Sequence, residues 1–308
     1  MSKAEIRAIL PYMRLRYKRY KYRNRPSQEL TFCIFLARLS YSTRLQDLPY
    51  YFGVSQFYIT GVFNDVLNHF GSLFKEFLRW DHSRLTFSTM RRYADAIGEG
   101  CVWGFIDGTT QKIARPKVDQ RSYYSGHKRY HCYKYQAVVT PDGLVSSLAG
   151  PMEGIRGDWA LFHYSLIADD ITEEFRASNV APEDQVCLFG DPAYAMTGLT
   201  MSSYRRPPGG QLEPEYAQWN HHMSTKRIAV EHFFSTVKNR WGLMSLHTIN
   251  RVGSTAVGNL YAAACFLNNC LTCLRGYNQI SLQFQCQPPS LEEYLALIDR
   301  VDSPADWR

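Results

Sequence analysis

The stretch CVWGFIDGT at residues 101–109 decides the fold. From Cys101 to Ile106 it is almost unbroken apolar sequence, too short for a buried helix and typical of a strand covered on both faces, and it stops at Asp107-Gly108. A second run, Val186 to Phe189, stops in the same way at Gly190-Asp191. Parallel neighbours in an α/β sheet present their C-terminal ends at one edge, where ligands bind. Asp107 and Asp191 are therefore candidates to converge. Asp-Gly and Gly-Asp-Pro are also ordinary turns, and either aspartate taken alone reads better that way.

Between these runs, Tyr133–Thr140 and Leu144–Leu148 flank Pro141-Asp142-Gly143 and predict a hairpin. Asp158 to about Phe175 reads as a helix, and Thr197–Glu213, with its PPGG, as a bulging loop before helix returns near Pro214. The order strand, hairpin, helix, strand, loop, long helix describes an α/β domain with a mixed sheet. In the last helix, Val230, Phe233, Phe234, Val237 and Trp241 form one apolar stripe that must pack on the sheet. At about 100° per residue Glu231 lies on the flank of that stripe, with Arg227 and Lys238 within roughly 40° of it. A third carboxylate can thus reach the strand ends, with two bases beside it to hold a phosphate. The alternative is a surface i, i+4 pair of Arg227 and Glu231, worth only about 0.2–0.5 kcal/mol.

Upstream, the chain is helical and basic. Residues 1–95 hold 16 Lys and Arg against 7 Asp and Glu, so the net charge of +7 belongs to the N-terminal third and points to a polyanionic partner. The densest run, RLRYKRYKYRNR at 14–25, interleaves Arg16, Lys18, Arg19 and Lys21 with Tyr17, Tyr20 and Tyr22. That composition suits phosphates and stacked bases, and equally a solvated segment or an import signal. Leu30, Phe32, Ile34, Phe35 and Leu39 fit one helix, and Leu45, Leu48, Tyr51 and Phe52 a second. After Gly53, Ser55 is a candidate N-cap for a third helix with Ile59, Val62, Phe63, Val66, Leu67, Phe70, Phe74 and Phe77 at its apolar positions. The unit resembles a helix-turn-helix that would bring Gln56, Phe57 and Tyr58 to DNA; a plain three-helix bundle is the alternative.

Other classes are disfavoured. No apolar run looks long enough to span a bilayer, and MSKAEIRAILPYM lacks the apolar core of a signal peptide, so an intracellular protein with no membrane partner is expected. The eight cysteines lie mostly in apolar runs and read as reduced core residues. Cys270-x-x-Cys273 is the best zinc candidate by spacing, but no second pair follows and its surroundings read as a buried helix.

Four blocks, GFIDGT (104–109), TPDGLVSSLAGPMEG (140–154), LFGDPAY (188–194) and KRIAVEHFFSTVKNRW (226–241), resemble in order and spacing the blocks of PIF/Harbinger-type DDE transposases and their domesticated relatives. The likeness covers roughly residues 30–270. It implies a ribonuclease H-like mixed-sheet catalytic core preceded by an N-terminal helical, helix-turn-helix-like domain. The corresponding divisions are 1–97 (basic helical domain), 98–275 (catalytic domain) and 276–308 (C-terminal tail). It matches the family's catalytic carboxylates to Asp107, Asp191 and Glu231, which would hold two divalent ions, Mg²⁺ or Mn²⁺. Asp158, where the family often shows an aspartate, reads as an N-terminal cap or a residue behind the ligands, with direct ligation as the alternative. Thr110 and Gln111 replace a His common in relatives, which puts substrate contacts in doubt. His127, His131, His221, His222 and His232 suit a surface or DNA-contact role, because hard Mg²⁺ prefers oxygen.

The expected activity is metal-dependent cleavage of DNA phosphodiester bonds by a two-metal DDE mechanism, with strand transfer in a full transposase. Arg227, Lys238, Arg16, Lys18, Arg19 and Lys21 are the candidate DNA-binding residues. The alternative is a domesticated, catalytically silent DNA-binding or regulatory protein that kept the fold. Beyond DNA, candidate partners are a Myb-like DNA-binding protein and a second copy of this chain. The resemblance implies a nuclear location, and without it the reading is cytoplasmic.

Overall fold

The computed structural model describes residues 1–15, 26–41, 45–247, 250–253 and 256–296, with the side chains of 75–77, and so the apolar position assigned to Phe77, outside the description. The first helix, α1 (Lys3–Ile9), opens on a capping box in which Ser2 and Glu5 satisfy each other's backbone N–H groups. Helix α2 (Gln28–Ser40) is capped by Ser27, and α3 (Leu48–Phe52) ends at Gly53, whose φ of +64° is left-handed. Ser55 Oγ accepts the Tyr58 N–H at 3.2 Å and starts α4 (Gln56–Arg79). Helix α3, the turn at Gly53 and α4 follow one another in the chain. A further helix, α5 (Phe87–Ile97), buries Met90, Tyr93, Ala94 and Ile97, an i, i+3, i+4, i+7 stripe absent from the sequence reading.

Strand β1 (Val102–Lys112) does not stop at Asp107-Gly108 as the apolar run suggests. Following α6 (Gln120–Tyr123) and β2 (Tyr124–Ser125), β3 (Tyr130–Val139) pairs antiparallel with β1 from Phe105 to Lys112 and carries it onward. The hairpin closes with β4 (Val145–Glu153). The predicted helix from Asp158 is broken at Leu166, φ +57°, into α7 (Asp158–Ser165) and α8 (Ile167–Ala177). Strand β5 (Cys187–Gly190) pairs parallel with β1, and the expected loop 197–213 contains a short parallel edge strand, β6 (Thr200–Ser202). The sheet runs β2-β3-β1-β5-β6, with β4 also on β3, so it is mixed as expected.

Helix α9 (Pro214–Arg240) packs on β1 and β3 through buried Val230, Phe233, Phe234 and Val237, and Trp241 is buried just beyond its end. Helix α10 (Val257–Arg275) corrects the statement that no run reaches membrane length, for it is long and apolar enough by composition. It is nevertheless a mostly buried core helix, with Cys270 and Cys273 among its buried free thiols. Its Phe266 stacks on Phe74 of α4 at 3.8 Å, so the N-terminal helices and the sheet share one core across residue 97. Within 276–308, α11 (Gln279–Gln283) and α12 (Leu291–Leu295) bury Ile280, Leu291, Tyr294 and Leu295 in that core. Residues 297–308 lie outside the described part.

Candidate active site

The register of β1 and β5 creates the site. Phe105 is aligned with Phe189, and Asp107 and Asp191 each follow two residues later. A two-residue step preserves the face of a strand, so the two carboxylates leave neighbouring parallel strands at the same end. Beyond Gly190 the chain turns: Asp191 Oδ1 accepts the Ala193 N–H at 2.9 Å and its carbonyl accepts that of Tyr194 at 3.0 Å. On α9 the apolar face that packs on the sheet fixes the helix's rotation, which brings Glu231 and Lys238 to the same place. One cleft of about 660 Å³ is lined by Asp107, Asp191, Glu231, Asp158 and Lys238, together with Lys128, Lys134 and His127.

Arg227 organises this cleft. Its Nη1 donates to Asp107 Oδ2 at 2.8 Å and its Nη2 to Glu231 Oε1 at 3.1 Å, so one guanidinium spans two carboxylates from different elements. The i, i+4 pair with Glu231 is thus only half of what Arg227 does. The other Asp107 oxygen accepts the Gly108 N–H at 2.8 Å. Burial pushes the Asp107 carboxyl up to about 6; Arg227 and the Gly108 N–H oppose that rise, while Asp191 and Glu231 add to it. Lys238 donates to Thr109 Oγ1 at 3.0 Å, and burial, then Lys128, lowers its pKa.

Asp158 is the first residue of α7, not its cap; the cap is Gly157, and Asp158 faces the cleft beside Lys134 at 3.6 Å. It approaches so closely that a Cβ at Gly108 would lie 2.7 Å from its Oδ1. Lys128, Lys134 and Tyr130 were not singled out by sequence reasoning, although SGHKRYHCYK places three bases and two histidines directly before and within β3. Of the histidines, His127 lines the cleft, His131 packs on Tyr124 at 5.4 Å and His222 is bonded to Glu99 at 2.5 Å. Arg16, Lys18, Arg19 and Lys21 lie outside the described residues, while Gln56 and Phe57 are exposed at the start of α4.

The donor set suits a hard divalent cation: oxygen donors that repel one another, with a positive group already drawn between two of them. Among the described residues no group of three His, Cys, Asp or Glu side chains stands close enough to hold an ion as placed, and Arg227 bridges Asp107 and Glu231. An ion shared by Asp107 and Glu231 would compete with that guanidinium for their oxygens.

Residues 106–269, over half of the chain, match the family described as DDE superfamily endonuclease. No curated protein and no solved structure matches the chain.

Proposed function

Because the chain belongs to the DDE superfamily endonuclease family, we propose that it cuts DNA phosphodiester bonds with divalent metal ions held by Asp107, Asp191 and Glu231. The family generally uses divalent metals, and a nuclease of this kind acts on DNA. The observation that carries the residue assignment is the convergence of these carboxylates, from two strand ends and a helix, on one cleft with a cation between two of them.

Bound there, Mg²⁺ or Mn²⁺ supplies an activated water and charge neutralisation at phosphorus and the leaving oxygen. The water oxygen would join phosphorus as the bond to the 3′ oxygen breaks, the water's proton passing to solvent and the leaving oxygen taking one up from solvent, which gives a 5′-phosphate and a 3′-hydroxyl. The chain's own part is to orient the carboxylates: the Gly108 N–H fixes one Asp107 oxygen, and the Ala193 N–H fixes one of Asp191. Lys238, steered by Thr109, offers its charge to the phosphate.

The four sequence blocks support the finer assignment to PIF/Harbinger-type transposases, and the strand order supports a ribonuclease H-like core. Nuclear location and a Myb-like partner follow from that subtype. The test is incubation of purified protein with DNA, with and without Mg²⁺ or Mn²⁺, alongside Asp107→Asn, Asp191→Asn and Glu231→Gln. Metal-dependent cleavage lost in all three variants supports the reading. Metal-independent DNA binding without cleavage by the wild type would replace it with a silent DNA-binding protein.

A further inference from the structure

The ion pairs at the cleft leave two lysines without a carboxylate partner among the described residues. Arg227 is matched by Asp107 and Glu231, and Lys134 by Asp158. Among the described residues, Lys238 is bonded to the neutral Thr109 hydroxyl and to no carboxylate, and Lys128 has no acidic partner. Two ammonium groups thus line one cleft with no direct ion pair among the described residues, and Lys128 lowers the pKa of Lys238. Lys238 is half-buried, where an added anion offsets the cost of burying its charge, and Lys128 is exposed at the cleft, open to the same anion.

The element that carries Lys128 is built firmly. Between β2 and β3 the turn is closed by Arg129 N–H to the Ser125 carbonyl at 2.7 Å and Lys128 N–H to Ser125 Oγ at 3.3 Å, with Ser125 buried beneath. Tyr130 Oη is bonded to Thr110 Oγ1 of β1 at 2.8 Å, three residues past Asp107, and Lys112 lies 5.4 Å over its ring. The turn is therefore fastened to the strand that bears the first carboxylate. It sets His127, Lys128 and Tyr130 into the wall of the cleft, where aromatic and cationic groups alternate.

Resting on the nuclease reading, we infer that the β2–β3 turn is a DNA-backbone rest, with Lys128 as the residue that takes a phosphate next to the one being cut. The turn positions the strand; it takes no part in bond breaking. This places a DNA contact within the α/β core, apart from the basic run at 14–25.

The experiment measures binding of the full chain to a labelled mixed-sequence duplex by fluorescence anisotropy, in EDTA, over a range of salt. Each phosphate contact contributes about 0.9 to the slope of log K against log salt. Lys128→Gln should lower that slope by about 0.9, and Lys128→Arg should restore it. Arg176→Gln, which removes the same charge from an exposed position on α8, should leave it unchanged. An unchanged slope in Lys128→Gln, an equal fall in Arg176→Gln, or no DNA binding by the wild type overturns the inference. Mn²⁺ affinity, followed by electron paramagnetic resonance, should be the same in Lys128→Gln and wild type. A loss there also overturns it, by making Lys128 a support of the carboxylates. A wild type that binds DNA but never cuts it counts against the nuclease reading alone, since this comparison needs no cleavage.

Discussion

The Arg227 guanidinium donates to Asp107 Oδ2 at 2.8 Å across 120 residues of sequence, and its second amino group turns to Glu231. A side chain that satisfies two carboxylates in this way competes with any cation they would hold. Charge-assisted hydrogen bonds of this kind contribute about 1.5–3 kcal/mol each. Arg227→Gln should therefore bind Mn²⁺ at least about tenfold more tightly than wild type, measured by calorimetry on the protein without DNA. Equal or weaker affinity would show that the guanidinium helps to hold the site together.

Asp107 gives the site a pH signature. With its folded pKa raised to about 6 from an ordinary value of 3.8, the folded state keeps a proton that the unfolded chain releases. Stability from this group therefore falls as pH rises from about 4 to 6, and the whole cost is present above 6. Asp107→Asn removes the charge and keeps the shape. It should match wild type near pH 3.5 and exceed it by about 1–3 kcal/mol at pH 8, read from urea unfolding. A variant less stable than wild type at pH 8 would mean that pairing with Arg227 outweighs burial.

Asp142 anchors a buried polar network away from the cleft. It accepts from Thr140 at 2.6 Å, from Tyr93 at 2.6 Å and from Arg84 at 3.3 Å, tying the β3–β4 turn to α5. Asp142→Ala strands a buried guanidinium and should cost about 3–5 kcal/mol. The loss would appear as a lower urea midpoint, and a change under 1 kcal/mol would show that Asp81 alone can hold Arg84.

The basic run requires a different kind of variant. Ile9, Met13 and Leu15 are buried, so removing the N-terminus would disturb the core as well as the charge. Replacing Arg16, Lys18, Arg19 and Lys21 together with Gln isolates the charge. If all four meet phosphates, the salt slope of DNA binding should fall by about 3.6. No change would assign the N-terminal surplus to solubility or import.

Gly108 should tolerate no side chain without moving Asp158, whose Oδ1 would lie 2.7 Å from a new Cβ. Because the displaced group is the end of a side chain, Gly108→Ala should change stability by less than about 1 kcal/mol while breaking the contact of Asp158 with Lys134. A crystal structure of the variant with that contact intact would refute this.

Much of the architecture is local information. The alternation of apolar runs with Asp-Gly and Gly-Asp stops, the Pro141-Asp142-Gly143 turn and the stripe through Val230 and Phe234 each follow from how a strand or a helix covers its apolar side, and a reader of the sequence alone recovers them. The stripe even orients Glu231, because burying one helical face sets the rotation of every other residue on it. What the sequence could not settle was decided by pairing and packing. β1 continues past Asp107 because β3 supplies a partner there; α5, by contrast, carries a local signal that the sequence reading passed over, the Met90, Tyr93, Ala94 and Ile97 stripe between Thr86 and Gly98. The partners of Arg227, the closeness of Asp158 to Gly108, and the entry of Lys128 into the cleft depend on chain segments far apart in sequence. No periodicity records such meetings, since they are made by the register of the sheet and the fit of α9 upon it.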